Sequence, residues 1–206
     1  MGYYIRVLST SSEPISFATL EGVLKHSGLK GKLSLEAGTD EAWDQIVLSH
    51  NDGREIASIE RNVVTAGSLA FEELETFKHE IADCKPASSV QWLIEYFSEV
   101  RSIYAFQLLS GTDYRNGWKI LGIFKNAVWK QAPSIIQADR EGFSNEDGYH
   151  ILWQFNEDVS GKWWMGVLED GRWVHFQMKL ENRKQREAFF AGQVPPGTVP
   201  SYTLRH

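Results

Sequence analysis

Three residues in the second half of the chain have side chains that can act as acid, base or metal ligand. Asp139 and Glu141 follow a strand-like segment over residues 135–138, and His150 comes shortly after them. Ligands often lie where the strands of an α/β sheet end. Two carboxylates beside an imidazole can exchange protons with a substrate or bind a hard metal ion. A polar loop in which Arg140 pairs with a neighbouring acid explains the same residues, so a hydrolase or isomerase site is one hypothesis among several.

The densest aromatic stretch of the chain offers a second kind of site. Four of the eight tryptophans stand at positions 153, 163, 164 and 173, in segments whose residues alternate as in β-strands. In the pair Trp163-Trp164 one ring must point to each face of its strand, so if one face packs the core the other ring is exposed, covered or lines a groove. Tryptophan buries much area with few rotatable bonds, which favours it in apolar ligand pockets. The predicted ligand-binding residues are Tyr149, Trp153, Trp164, Trp173 and His175.

The negative charge of the chain is concentrated in one region. The net charge is −6, whereas residues 36–99 alone contain 14 acidic and 4 basic residues. Such a field disfavours nucleic acid and attracts basic partners. The solvated faces of two helices and a hairpin explain the same residues without any partner. The acidic-face hypothesis places a basic protein partner at Glu72, Glu73 and Glu75.

Motifs that identify a cofactor or a nucleophile are missing from the sequence. It has no Gly-rich phosphate loop, no HExxH or CxxC metal motif and no GxSxG nucleophile motif. The single cysteine, Cys84, has no partner for an internal disulfide. No apolar run approaches the roughly 18 residues of a membrane helix, and no secretory leader is visible. We therefore expect a cytoplasmic protein without metal, cofactor, nucleic acid or membrane contact.

The first half of the chain predicts one helix among several strands. The helix covers residues 17–27, with Ser16 as its N-cap and Gly28 as its stop signal. The dipeptide Asp52-Gly53 between two strand-like runs predicts a hairpin turn. The predicted strands cover residues 3–8, 32–36, 43–49 and 54–63.

The rest of the chain predicts two successive helices and then a return to strands. The second of these helices has a capping-box pattern from Ser88 to Gln91. A long helix from Thr112 or Asp113 to about Lys130 and a short basic helix after Asn182 are also predicted. The predicted strands cover residues 102–109, 134–138, 149–155, 162–168 and 173–180.

Both halves thus repeat the order strand, helix, strand and antiparallel strands, without detectable residue identity. The predicted fold class is α+β, with two β-α-β-β-like units, mostly antiparallel sheets, a joining helical pair and a C-terminal aromatic-rich antiparallel meander. The predicted division is a first α/β unit over 1–66, a helical pair over 67–101, a second α/β unit over 102–192 and a Pro-rich tail over 193–206.

These features support three hypotheses about function. The first is a non-enzymatic protein-interaction module of a regulatory or neutralising type, which meets a basic partner at its acidic face. The second is a binding protein that holds a small apolar or aromatic ligand in an aromatic groove. The third is a hydrolase or isomerase that uses Asp139, Glu141 and His150. The lack of a catalytic motif favours binding over catalysis.

Overall fold

The computed structural model of the chain describes residues 2–156 and 158–202. These residues form two compact units, the first from residues 2–71 and 100–134 and the second from residues 72–99 and 135–202. Helices combine with antiparallel strands in both units, which confirms the predicted α+β class. Within the part of the chain that is described, no helix has the length and apolar character needed to cross a membrane.

The elements are named here in chain order, with one 3-10 turn over Ser110–Asp113 before α4. The strands are β1 (Tyr4–Ser9), β2 (Gly31–Gly38), β3 (Trp43–His50), β4 (Glu55–Val63), β5 (Ser102–Leu108), β6 (Ser134–Ala138), β7 (Gly142–Ser144), β8 (Lys162–Glu169), β9 (Arg172–Lys179) and β10 (Ser201–Tyr202). The helices are α1 (Phe17–Ser27), α2 (Leu69–Ile81), α3 (Ala87–Phe97), α4 (Gly117–Trp129) and α5 (Arg183–Phe190).

The first unit is built on five antiparallel strands in the order β2-β3-β4-β5-β1. Helices α1 and α4 contact each other and bury their apolar stripes in the core that the sheet lines. The predicted boundaries of α1 are confirmed: the Ser16 hydroxyl accepts the N–H of Thr19 at 3.2 Å, and Gly28 ends the helix with a φ of 71°. The core residues of this unit include Leu20, Leu24, Trp43, Ile46, Ile59, Phe106, Ile120 and Phe124.

The second unit contains the β6–β7 pair and a separate three-stranded sheet in the order β10-β9-β8. Strands β8 and β9 form a hairpin, and α5 follows β9 after a short turn. Asn182 caps α5, because its side-chain oxygen accepts the N–H of Gln185 at 3.2 Å. The core beneath the hairpin is formed by Met165, Val167, Val174, Phe176, Met178, Leu180 and Phe189.

The sequence predicts the start of a second α/β unit at residue 102. In the structure, residues 100–134 belong to the same compact unit as residues 2–71. Strand β5 pairs along one edge with β4 and along the other with β1, so it lies inside the first sheet. A strand that is apolar on both faces needs cover on both sides and hydrogen-bonding neighbours on both edges. Because α4 also packs on α1, residues 100–134 group with the first unit.

The predicted strand over residues 149–155 is wrong. Successive N–H groups of this segment donate to three different partners: His150 to the carbonyl of Trp164, Ile151 to that of Phe143 and Trp153 to that of Lys85. A strand requires one continuous ladder with a neighbour, and these contacts give only isolated bridges. Alternation of apolar residues therefore reflects burial of this segment and does not reflect sheet pairing.

Two smaller expectations also fail. The helix α3 has no capping box, since it begins at Ala87 after Pro86, and the hydroxyls of Ser88 and Ser89 are buried without a hydrogen-bond partner. The predicted long helix is interrupted after the 3-10 turn, where Asn116 adopts a φ of 60°. In the Pro-rich tail, β10 pairs with β9 at Val174 and His175, while residues 203–206 lie outside the described residues.

Candidate functional site

The hairpin β8–β9 has two faces of different character, which follow from its register. Asp170 and Gly171 form the two-residue turn with φ values of 48° and 74°, as a type I′ hairpin requires. The register then pairs Trp163 with Met178 and Trp164 with Gln177. Side chains alternate between the faces, so each face takes every second residue of both strands.

We call one side of this hairpin the inner face, since its residues pack in the core of the second unit. Trp163 is partly buried there, which confirms the expectation that the two neighbouring tryptophans point in opposite directions. The apolar residues of the inner face are Trp163, Met165, Val167, Val174, Phe176 and Met178, and the same side carries the exposed Glu169 and Arg172 beside the turn. We call the other side the outer face, and its residues are Lys162, Trp164, Gly166, Leu168, Trp173, His175, Gln177 and Lys179.

The outer face is covered near the turn. Trp173 is only 7% exposed, because the ring of Trp92 packs on it edge to face at 5.1 Å between ring centres. Trp92 in turn stacks on Tyr96 at 5.0 Å. The Tyr96 hydroxyl is buried and has no hydrogen-bond partner. Its pKa is raised mainly by burial, and in smaller part by the negative charges of Glu146 and Glu99.

The middle of the outer face is held by a stack of aromatic rings. The ring of Tyr149 lies flat on the imidazole of His175, with 3.6 Å between centres, and meets Trp164 edge to face at 5.9 Å. Burial lowers the pKa of His175, and the charge of Asp147 opposes this in part from 3.9 Å away. His175 is therefore neutral near pH 7, and its stacking with Tyr149 holds the Trp164 ring in place from behind.

The far half of the outer face is open and borders a groove of about 500 Å³. Trp164 is 52% exposed there, although its neighbours at the other end of the same face are buried. The groove is lined by Lys162, Trp164, Gln177, Met178, Lys179, Asn182, Gln185, Gly197, Thr198 and Val199. Its volume lies in the range of small-molecule sites, which runs from roughly 300 to 1,000 Å³.

The tail of the chain forms one wall of this groove. The amide of Gln185 donates to the carbonyl of Pro196 at 3.3 Å, and the Thr198 hydroxyl donates to the carbonyl of Pro195 at 2.7 Å. Gly197 adopts a φ of 74°, a conformation that side chains other than glycine rarely allow. The pairing of Ser201 with His175 returns the tail to the edge of β9. These contacts keep residues 197–199 at a fixed place beside the hairpin.

The structure brings together four of the five predicted ligand-binding residues. Tyr149, Trp164, Trp173 and His175 all belong to the outer face or to the rings that cover it. Trp153 does not, since it packs with Phe155 at 5.0 Å and Phe190 at 5.4 Å beside the inner face. Only Trp164 of this set lines the groove itself.

The hydrolase or isomerase hypothesis needs the His150 ring to be open to a substrate beside Asp139 and Glu141, and the structure places this ring differently. Nε2 of His150 forms a hydrogen bond with the backbone carbonyl oxygen of Glu141, at 2.9 Å. The ring is enclosed by Phe155 and Trp163 at 4.7 and 5.7 Å, and this burial lowers the pKa of His150 to about 4. Asp139 and Glu141 are half-buried. His150 is thus a structural histidine that is neutral above pH 4.

The predicted acidic face lies on α2. Glu72 is exposed and Glu73 half-buried, whereas the carboxylate of Glu75 is 2.6 Å from the ammonium group of Lys78. The ion pair cancels part of the negative charge of this helix. No group of three or more His, Cys, Asp or Glu side chains in residues 2–156 and 158–202 is arranged to hold a metal ion.

Sequence reasoning missed the polar residues of the groove, which are Lys162, Gln177, Lys179, Asn182, Gln185 and Thr198. One signal was available for the lysines. Once Asp170-Gly171 is taken as a two-residue turn, counting outward pairs Lys162 with Lys179 on the face of Trp164. The wall formed by the tail had no comparable signal. No protein-family model, no curated protein and no solved structure matches the chain, so the site is interpreted from its own geometry.

Proposed function

We propose that this chain is a non-enzymatic binding protein, and that its groove holds a small ligand with a planar, apolar part against Trp164. The observation that carries the proposal is the half-exposed ring of Trp164 at the edge of a groove of about 500 Å³. A single exposed ring does not require a ligand, but this ring borders a groove in which a ligand can bury its open half. The ring is also held in position by Tyr149, so little ordering is needed when a ligand stacks on it.

The groove supports this function better than the other two hypotheses. Its lining combines one exposed aromatic ring with six polar side chains, so a ligand can stack on the ring and form polar contacts beside it. The basic protein partner at Glu72, Glu73 and Glu75 stays a prediction, with Glu75 already engaged by Lys78. Catalysis by Asp139, Glu141 and His150 has less support, because the imidazole is buried among aromatic rings and bonded to a backbone carbonyl.

The proposal is tested with the neutral fluorescent probe N-phenylnaphthylamine, which is planar and apolar. We expect the probe to bind the wild-type protein and to lose about tenfold in affinity in Trp164→Ala, because one aromatic contact of roughly 1.4 kcal/mol is removed. The measurement is a titration of probe emission. Trp118→Ala is the matched control, since Trp118 lies on α4 in the first unit with 53% exposure against 52% for Trp164.

Equal loss of affinity in the two variants would show that the probe binds exposed tryptophans without preference. An unchanged affinity in Trp164→Ala would show that it binds elsewhere. Either result would contradict the proposed function, whereas loss in Trp164→Ala alone supports it.

A further inference from the structure

The groove contains a pair of like charges that the fold places opposite each other. Lys162 and Lys179 are direct register partners on the outer face, where opposite Cβ atoms are about 4.5 to 5.5 Å apart. Like charges in this position destabilise a sheet. Among the residues that the structure describes, neither lysine is within ion-pairing distance of a carboxylate.

One acidic residue, Glu181, interacts with Lys179 through its charge, but its carboxylate is hydrogen-bonded to the backbone. The carboxylate of Glu181 accepts the backbone N–H of Gly161 at 2.9 Å. The pKa of Glu181 is lowered mainly by hydrogen bonds from backbone N–H groups, and only in smaller part by the charge of Lys179. Glu181 is not a lining residue, and the described lining of the groove contains two lysines and no acidic side chain.

The start of α5 adds to the positive potential at the same place. Asn182 and Gln185, the N-cap and a first-turn residue of α5, both line the groove. The first turn of a helix carries unpaired N–H groups and favours anions, yet here it contains Arg183 and Lys184 and no acidic residue. Arg183 is paired with Glu187 at 2.8 Å. A lysine pair without an ion-pair partner and a helix start without an acidic residue in its first turn, both lining a groove that no acidic side chain lines, point to an anion supplied from outside the chain.

The position of the charge relative to Trp164 sets the shape of the ligand. Lys162 and Trp164 are two residues apart on one strand, so their side chains leave the same face about 6 to 7 Å from each other. We propose that the groove takes an anionic ligand, with its planar part on Trp164 and a carboxylate or phosphate group held by Lys162, Lys179 and the start of α5. This inference deepens the proposed function and rests on it.

Two probes that differ by one anionic group test the inference. Anilinonaphthalenesulfonate carries a sulfonate, whereas N-phenylnaphthylamine has the same aromatic rings without it. We expect the sulfonate probe to bind at least tenfold more tightly at low salt, because a charge-assisted contact with an ammonium group adds about 1.5 kcal/mol or more. The difference narrows as NaCl is added, since exposed charges are screened.

Charge-removing variants assign the effect to the lysine pair. Lys162→Gln with Lys179→Gln is expected to remove the tenfold preference for the sulfonate probe, measured as the ratio of the affinities of this variant for the two probes. Lys32→Gln is the matched control, because Lys32 is an exposed lysine on strand β2 of the first unit. Displacement of the sulfonate probe by naphthoate and by naphthyl phosphate then distinguishes a carboxylate from a phosphate ligand.

The measurements distinguish failure of the anion site from failure of the proposed function. If both probes bind at Trp164 with equal affinity, and the lysine variants change neither, the anion site is wrong and the proposed function stands. If neither probe depends on Trp164, the proposed function fails and the anion site fails with it. If neither naphthoate nor naphthyl phosphate displaces the sulfonate probe, the site does not take the proposed anions.

Discussion

The inner and outer faces of the β8–β9 hairpin are formed by the same sixteen residues and the same turn, yet they differ in how much of each is buried. The inner face is exposed only at Glu169 and Arg172 beside the turn, and its six apolar residues, with Trp163 partly buried, pack into one core. The outer face is buried near the turn, at Trp173 and His175, and exposed at Lys162, Trp164, Gln177 and Lys179. The comparison shows that strand alternation assigns residues to faces, whereas the rings and the tail placed over a face decide which part remains available to a ligand.

The largest expected effect separates the two faces by stability. Phe176→Ala removes a fully buried ring from the inner face and should lower the free energy of unfolding by about 3 to 5 kcal/mol. Trp164→Ala on the outer face should cost roughly 1 kcal/mol or less, because half of the ring is already in water. Urea denaturation of both variants measures the difference.

Similar destabilisation by the two substitutions would break the comparison, since it would place Trp164 in the core of the unit. A destabilised Trp164→Ala would also require the probe titrations to be repeated with Trp164→Phe, which keeps a ring at this position.

The second expected effect is a dependence of stability on pH, which comes from the buried His150. The pKa of His150 is about 4 in the folded protein and about 6.5 in an unfolded chain, so the unfolded state takes up a proton first as the pH falls. Stability is therefore fully present above pH 6.5 and decreases towards pH 4, by roughly 3 kcal/mol in total from this group. The free energy of unfolding measured between pH 7 and pH 4 checks this value.

The variant His150→Gln should have a shallower pH dependence, whereas His79→Gln, at an exposed position on α2, should keep the wild-type slope. His175, whose pKa is also lowered, contributes a slope of the same sign in all three proteins. If His150→Gln is too unstable to measure, an NMR titration of the wild-type histidines gives the same answer. A His150 that titrates near pH 6.5 would show that its ring reaches water.

The smallest expected effect tests the covered end of the outer face. The hydroxyl of Tyr96 is buried without a hydrogen-bond partner, so Tyr96→Phe removes an unsatisfied polar group and keeps the ring that stacks on Trp92. We expect the free energy of unfolding to stay equal or to rise by up to about 1 kcal/mol. Thermal or urea unfolding measures it. A loss of more than about 1 kcal/mol would mean that the hydroxyl has a polar contact in solution.

Local signals in the sequence predicted the elements that depend on local interactions. The helix α1 has the predicted bounds because an N-cap serine and a left-handed glycine act within a few residues. The strands of the hairpin β8–β9 were predicted from the alternation of their residues, and the opposite directions of Trp163 and Trp164 followed from the same alternation.

The features that the sequence did not predict depend on partners far away in the chain. The place of β5 between β4 and β1 is a choice of strand neighbours, which no pattern within residues 102–109 specifies. Residues 149–155 alternate like a strand, yet their backbone partners come from three separate segments. For the same reason the groove was only partly predicted. Trp164 was expected from its type and position, while the wall at residues 197–199 depends on how Gln185 and β9 hold the tail.

The two-residue turn at Asp170 and Gly171 lies at the opposite end of the hairpin from the groove. Its length nevertheless fixes the strand register, and therefore which side chains line the groove. Because every pairing is counted outward from these two residues, their number decides which side chain of β9 stands beside Trp164 and which stands beside Lys162. A substitution in the turn that keeps positive φ leaves the count intact. One inserted or deleted residue changes its parity, which would exchange the two faces of one strand and separate the two lysines. The proposed binding site is therefore more sensitive to the length of this distant turn than to most changes of side chain within the turn.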